Sequence, residues 1–187
     1  MLESIGKTLA DPVTAQPVIA SERFVLRPLR RSDAGLIAHY AGDERVARGT
    51  RSIPHPFPPG AAEALVARAS SPTRAEDVWA LDGTAQGLGE LLGLIHLAKM
   101  DRKQSEISFW IAPAFWNTGL ASEAVGALIA ANPLGSCAMF AEVFQDNPGS
   151  ARVLTNNGFD YLGDAESFSV ARGTVVPTWT YALPLKA

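Results

Sequence analysis

Apolar and polar positions along this chain follow two rhythms, one of two residues and one close to 3.6. Residues 24–28 alternate and stop at Pro28, as a strand does. Ser32 can cap a helix running to about Tyr40, with Asp33 in its first turn. Pro54, Pro56, Pro58 and Pro59 make residues 51–60 a loop, and the alanine-rich residues 61–69 read as a helix. Strands are predicted at 77–81, 91–97 and 106–111, separated by the loop opening at Asp82-Gly83 and by a polar turn over 99–103. Apolar residues at 120, 121, 124, 125, 128 and 129 have helical spacing, and Asn132-Pro133 ends that helix. A strand over 137–144 leads to Asn147-Pro148, a cap followed by proline at the first helical position. Gly158 supplies the left-handed stop. Two last strands, near 161–171 and 175–183, turn at Arg172-Gly173.

The three-strand meander implies antiparallel pairing, and the strand–helix–strand unit across 106–143 implies one parallel step. The fold class is therefore mixed α/β, an α+β mixed sheet rather than an all-parallel dinucleotide fold. One domain is expected over 21–187, with residues 1–20 as a tail or packed arm.

Composition narrows the chemistry. Of 187 residues, 47% are hydrophobic and 19% charged, which supports a real core. A net charge of -3 with no Lys/Arg cluster argues against a nucleic-acid partner. His39, His55 and His96 are scattered and Cys137 is the single cysteine, so no disulfide forms within the chain and no zinc-type spacing exists. No metal is expected, and Cys137 reads as a small core residue. No apolar run approaches the roughly 18 residues of a membrane span, and residues 1–20 do not read as a signal peptide. No membrane partner and a cytoplasmic location are the expectations.

Two segments can carry chemistry. Trp116-Asn117-Thr118-Gly119-Leu120-Ala121-Ser122 joins a strand to a helix. A helix N-terminus offers unpaired N–H groups and a partial positive charge, which together can hold a pyrophosphate. Gly119 lets the backbone come close, and Ala121 keeps the first turn clear. The second segment, Asn147-Pro148-Gly149-Ser150-Ala151-Arg152-Val153-Leu154, opens a helix closing at Gly158-Phe159.

The ordered set resembles the GCN5-related N-acetyltransferases, and within them the RimJ/RimL-like branch. The residues that carry the resemblance are Phe109-Trp110-Ile111-Ala112-Pro113, then Trp116-Asn117-Thr118-Gly119-Leu120-Ala121-Ser122-Glu123-Ala124, then Asn147 to Leu154 and Gly158-Phe159. Glu22-Arg23-Phe24-Val25-Leu26-Arg27-Pro28-Leu29 and His55-Pro56-Phe57 also fit, and the likeness covers about residues 20–185. It implies a mostly antiparallel central sheet of about seven strands with flanking helices. It also implies acetyl-CoA as co-substrate, held by amides around Trp116, Asn117, Thr118, Gly119, Leu120, Ala121 and Ser122, with Asn147 facing the pantetheine arm. Thr118 stands where many relatives have Lys or Arg, and Leu154 where many have a general-acid Tyr. Ser150 is the positional substitute for that acid.

A protonated amine must lose a proton before attacking a thioester. Parity puts Ile107, Phe109 and Ile111 on one strand face and Glu106, Ser108 and Trp110 on the other. The second face is assigned to the acceptor cleft, with Glu106 as base, directly or through water. A backbone N–H near Ile111 would meet the oxyanion. His55, Phe57, Ser108 and Trp110 are the acceptor-contact candidates. The expected reaction is transfer from acetyl-CoA to a primary amine, on a protein N-terminus or a small molecule, by direct attack in a ternary complex. A non-catalytic acyl-CoA-binding or regulatory module and a partner-binding subunit are the alternatives. Apolar residues on the last strands leave a homodimer open.

Overall fold

The computed structural model describes residues 15–186. Of the expected N-terminal arm, residues 1–14 lie outside the described residues. The remainder is docked: Gln16 is buried, with its side-chain amide donating to the Val78 carbonyl at 2.8 Å.

Among the described residues, eight strands form one sheet: β1 Ile19–Ala20, β2 Val25–Pro28, β3 Glu76–Asp82, β4 Gly93–Met100, β5 Gln104–Ile111, β6 Ala138–Phe144, β7 Asp160–Ser169 and β8 Thr174–Pro184. Their order is β1-β2-β3-β4-β5-β6-β8-β7, antiparallel except between β5 and β6. Five helices flank it: α1 Ala34–Ala41, α2 Glu44–Arg48, α3 Ala61–Ala69, α4 Leu120–Ala131 and α5 Pro148–Asn156. The count exceeds the expected seven strands by β1, which has only two residues and no alternation to read. Pairing of Ile19 with Leu26 makes it a strand, and that pairing is tertiary.

Sheet pleat divides the apolar residues into two cores. Leu26, Trp79, Leu81, Ile95, Leu97, Ile107 and Ile111 pack on the face covered by α4 and α5, with Leu120, Val125, Leu128 and Leu154. Val78, Ala80, Leu94 and Trp110 pack on the other face, with Ile37, Val46 and Val66 of α1, α2 and α3. The parity predicted for β5 is thus realised. Trp79 lies wholly in the first core, with its indole N–H donating to the Pro17 carbonyl at 2.8 Å.

Three local expectations are corrected. Ser32 sits in a 3₁₀ turn, Arg31–Asp33, rather than capping α1. Asp33 is the N-cap residue of α1 but makes no side-chain bond to it; its carboxylate instead closes the 3₁₀ turn, accepting the Arg30 N–H at 2.7 Å while pairing with the buried Arg27 guanidinium at 2.9 Å. Helix α2 is absent from the sequence reading; its signal was Asp43, whose carboxylate accepts the Arg45 N–H at 2.9 Å. Cys137 is exposed, not core. It precedes β6 at the end of the sheet, where its N–H donates to the Lys103 carbonyl at 2.7 Å and its side chain lies beyond the packed face.

Candidate active site

β5 and β6 pair at only three positions, Gln104, Ser105 and Glu106 against Ala138, Met139 and Phe140. Beyond Glu106, β5 pairs with β4 alone; beyond Phe140, β6 pairs with β8 alone. Parallel strands held by so short a ladder splay apart, and the opening exposes backbone that antiparallel neighbours would cover. Helix α4 packs on β5 and α5 on β6, so the N-termini of both helices come to the mouth of the opening. A cavity of about 750 Å³ lies there, lined by Trp116 to Ser122, Asn147, Ser150 and Arg152.

The first turn of α4 has no side-chain cap. Its N-cap, Gly119, has φ +80°, and Asn117 has φ +60°. Backbone in this left-handed region turns successive N–H groups toward one point, an anion-binding concavity. Glu123 is the acidic residue of the first turn, where a carboxylate can meet the helix N-terminus. It is drawn away instead: its carboxylate takes the Ser21 hydroxyl at 2.5 Å, the Arg23 N–H at 2.9 Å and the Arg23 Nε at 2.6 Å. Leu120, Ala121 and Ser122 of this uncapped turn line the cavity.

Thr118 has its hydroxyl turned back, donating to the Phe115 carbonyl. Positive charge comes from elsewhere. Arg45 of α2 lies over the Trp116 ring, 5.4 Å from its centroid, and Arg48 and Arg152 line the same cavity. Trp116 is itself fixed by its indole N–H on the Ile111 carbonyl at 2.7 Å. The cations of α2 are 70 or so positions from the loop they face, so no motif spacing could reveal them. Asn147 accepts the Ser150 N–H at 3.3 Å through Oδ1, and its Nδ2 lies against Gly49, which lines the same cavity.

On the other sheet face a second cavity, about 900 Å³, is lined by Glu106, Ser108, Trp110 and Phe57 with Glu76, His96, Glu142 and Arg51. Gly49, Thr50, Phe109, Trp110 and Ser150 line both cavities, so the two meet at the splay. His55 is exposed and is not among the lining residues. Glu106 pairs with Arg51, and Arg51 also reaches Glu142 at 3.2 Å. The Ser167 hydroxyl donates to the other oxygen of Glu142. At the far end, the carboxyl of Glu76 lies 3.4 Å from His96 Nδ1, and that hydrogen bond, more than burial opposes it, holds Glu76 below the usual carboxylate range. Glu142 and Arg51 were missed from sequence, because nothing local marks either as facing β5.

Among the described residues, no group of three or more His, Cys, Asp or Glu could hold a metal ion, and no helix is long and apolar enough to cross a membrane.

The chain belongs to the acetyltransferase (GNAT) domain family, whose model matches residues 23–160. It is 32% identical over 98 residues to YoaA of Bacillus subtilis (strain 168), an uncharacterized N-acetyltransferase; the match covers 50% of this chain and 55%, about half, of that relative. Two solved structures share the fold. A GNAT-family acetyltransferase from Bacillus anthracis has TM-score 0.74 at 20% identity, covering 89% of this chain and 98% of that one. RimJ of Mycobacterium smegmatis, in complex with CoA-disulfide, has TM-score 0.73 at 18% identity, covering 89% and 87%.

Proposed function

We propose that this protein moves an acetyl group from acetyl-CoA to a primary amine by direct attack in a ternary complex. The observation that carries the reading is the uncapped first turn of α4 at the mouth of the splay, with a carboxylate-lined cavity behind it. The cofactor's role is to bring an acetyl group already activated as a thioester. The chain's own residues do the rest. Amides from Trp116 to Ser122 hold the diphosphate, with Arg45, Arg48 and Arg152 adding the charge that Thr118 does not. Asn147 Nδ2 faces the pantetheine arm.

Ala112 donates its N–H to the Leu92 carbonyl at 2.9 Å, on the β4 side. Strand N–H groups alternate in direction, so the Ile111 N–H turns toward the splay, where it meets the oxyanion. Ser150, at the junction of the cavities, is the hydroxyl placed to return a proton to the departing sulfur. Glu106 takes the proton from the amine, directly or through water. Ser108, Trp110 and Phe57 form the acceptor wall.

Titration calorimetry with acetyl-CoA, followed by thiol release in the presence of a panel of primary amines, tests this. Micromolar binding and amine-dependent release are expected. Absence of acetyl-CoA binding overturns the reading. A second reading, a non-catalytic acyl-CoA-binding module, draws on Leu154, which is fully buried and offers no acidic hydroxyl from α5. Binding without release above background hydrolysis would establish that alternative.

A further inference from the structure

The second cavity holds a cation of its own. The Arg51 guanidinium lies between two carboxylates, Glu106 of β5 and Glu142 of β6. These carboxylates stand on the two strands that part company just past Glu106. They face the cavity from either side of the splay. The Arg51 backbone is tied down, its carbonyl accepting the Val170 N–H at 3.0 Å. Its side chain crosses into the cavity and stays 37% exposed, so the guanidinium can leave while the loop remains in place. Glu142 accepts the Ser167 hydroxyl on the oxygen that Arg51 does not use, a second contact that holds one of the two carboxylates in place.

We propose that Glu106 and Glu142 together form the seat for the acceptor's ammonium group, and that Arg51 fills this seat until a cationic amine displaces it. The inference rests on the second cavity being the acceptor site. It assigns Glu142 as a second acceptor-binding residue and Arg51 as a built-in competitor that sets specificity. The acceptor class is an amine that arrives protonated, with an apolar body for Phe57, Phe109 and Trp110, all of which line the cavity. The arrangement favours a cationic over an anionic acceptor: three carboxylates, Glu76, Glu106 and Glu142, line the cavity against two arginines, Arg51 and Arg68, with His96 beside Glu76. Partly exposed ion pairs are weak, so a bound amine can replace Arg51 at modest cost.

The test is calorimetric binding of 1,5-diaminopentane and of pentanoate, with CoA present, to the wild-type protein, Arg51→Met and Arg68→Met. Arg68→Met removes an equal charge from the same cavity without touching either carboxylate. Arg51→Met is expected to bind the diamine about tenfold more tightly than wild type, to gain nothing for pentanoate, and to lose the gain when combined with Glu142→Gln. Guanidinium ion should compete with the diamine in Arg51→Met. Arg51→Lys, which keeps the loop's charge on a different head group, should fall between wild type and Arg51→Met. Equal gains in Arg51→Met and Arg68→Met, or no gain in either Arg51 variant, overturn the proposal. Acetyl-CoA affinity is read in the same samples: if it is absent from the wild-type protein, the function itself has failed, whereas intact affinity with no diamine gain condemns the seat alone.

Discussion

The side-chain amide of Asn157 donates to both the carbonyl oxygen and the hydroxyl of Ser122, at 3.2 and 3.1 Å. It also reaches the Val153 carbonyl at 2.8 Å. One residue at the end of α5 therefore holds the first turn of α4, the turn proposed to meet the cofactor's diphosphate. Asn157→Ala removes these bonds and leaves partly buried acceptors unpaired. A loss of about 1–3 kcal/mol is expected. Thermal unfolding should show a Tm lower by roughly 3–10 °C, together with weaker acetyl-CoA binding. An unchanged Tm would show that the three contacts carry no stability.

Gly119 separates backbone shape from charge at the proposed diphosphate loop. Its φ of +80° strains any side chain, yet an added Cβ would meet only Arg23 Nη2, at 3.4 Å. Gly119→Ala is expected to cost about 1–2 kcal/mol of stability and to leave acetyl-CoA affinity within a few-fold. Gly119→Glu carries the same strain plus a negative charge beside the open amides, and its acetyl-CoA affinity should fall much further. Matching affinities for the two variants would mean that the amides do not meet the diphosphate.

Arg27, Asp33 and Asp82 form a buried ionic group beneath β2. Arg27 contacts Asp33 at 2.9 Å and Asp82 at 2.6 Å, and Arg27 and Asp33 are almost wholly enclosed. Removing Asp33 leaves Arg27 with Asp82 as its carboxylate partner and takes the Asp33 acceptor from both terminal guanidinium nitrogens, which are buried. Asp33→Ala also strips the Arg30 N–H of its acceptor. The expected loss is about 3–5 kcal/mol, measured by urea unfolding with an unchanged m-value. A change under about 0.5 kcal/mol, the range of an ordinary surface substitution, would contradict this account.

Glu123 makes stability depend on acid. Burial alone would raise its pKa, but the Ser21 hydroxyl, the Arg23 N–H and the Arg23 guanidinium outweigh it and hold the carboxyl below its ordinary value. A group depressed in the folded state adds stability that is fully present above its unfolded value, about 4.3. That stability is lost as pH falls through the lower folded value. The Tm gap between wild type and Glu123→Gln should hold steady from pH 7 to 6 and narrow below about pH 4.5. A gap that widens on acidification reverses the sign and refutes the assignment.

Glu106→Gln keeps the shape of the side chain and removes its basicity. If Glu106 accepts the amine proton, turnover should drop about 10²-fold or more while acetyl-CoA affinity stays the same. Full turnover in this variant would assign proton removal to water or another group.

Much of the architecture was legible because it is written in short-range pattern. Helix α4 spans Leu120–Ala131 as its apolar spacing predicts, and α5 begins at Pro148 behind the Asn147 cap. Both depend on residues within a few positions of one another. The division of β5 into a Glu106–Ser108–Trp110 face and an Ile107–Phe109–Ile111 face follows from pleat alone. The open loop ahead of α4 could likewise be read from Gly119.

Other features became decided only when distant segments met. Arg51 reaches carboxylates 55 and 91 positions away, and Glu123 is pulled off its own helix by residues 100 and 102 positions before it. Cys137 is apolar in its neighbours but lies past the end of the packed sheet face. Local sequence sets which way a backbone bends and which side of an element is apolar. Which charges share a cavity is settled by the order of strands in the sheet, a long-range arrangement that leaves no periodic trace along the chain.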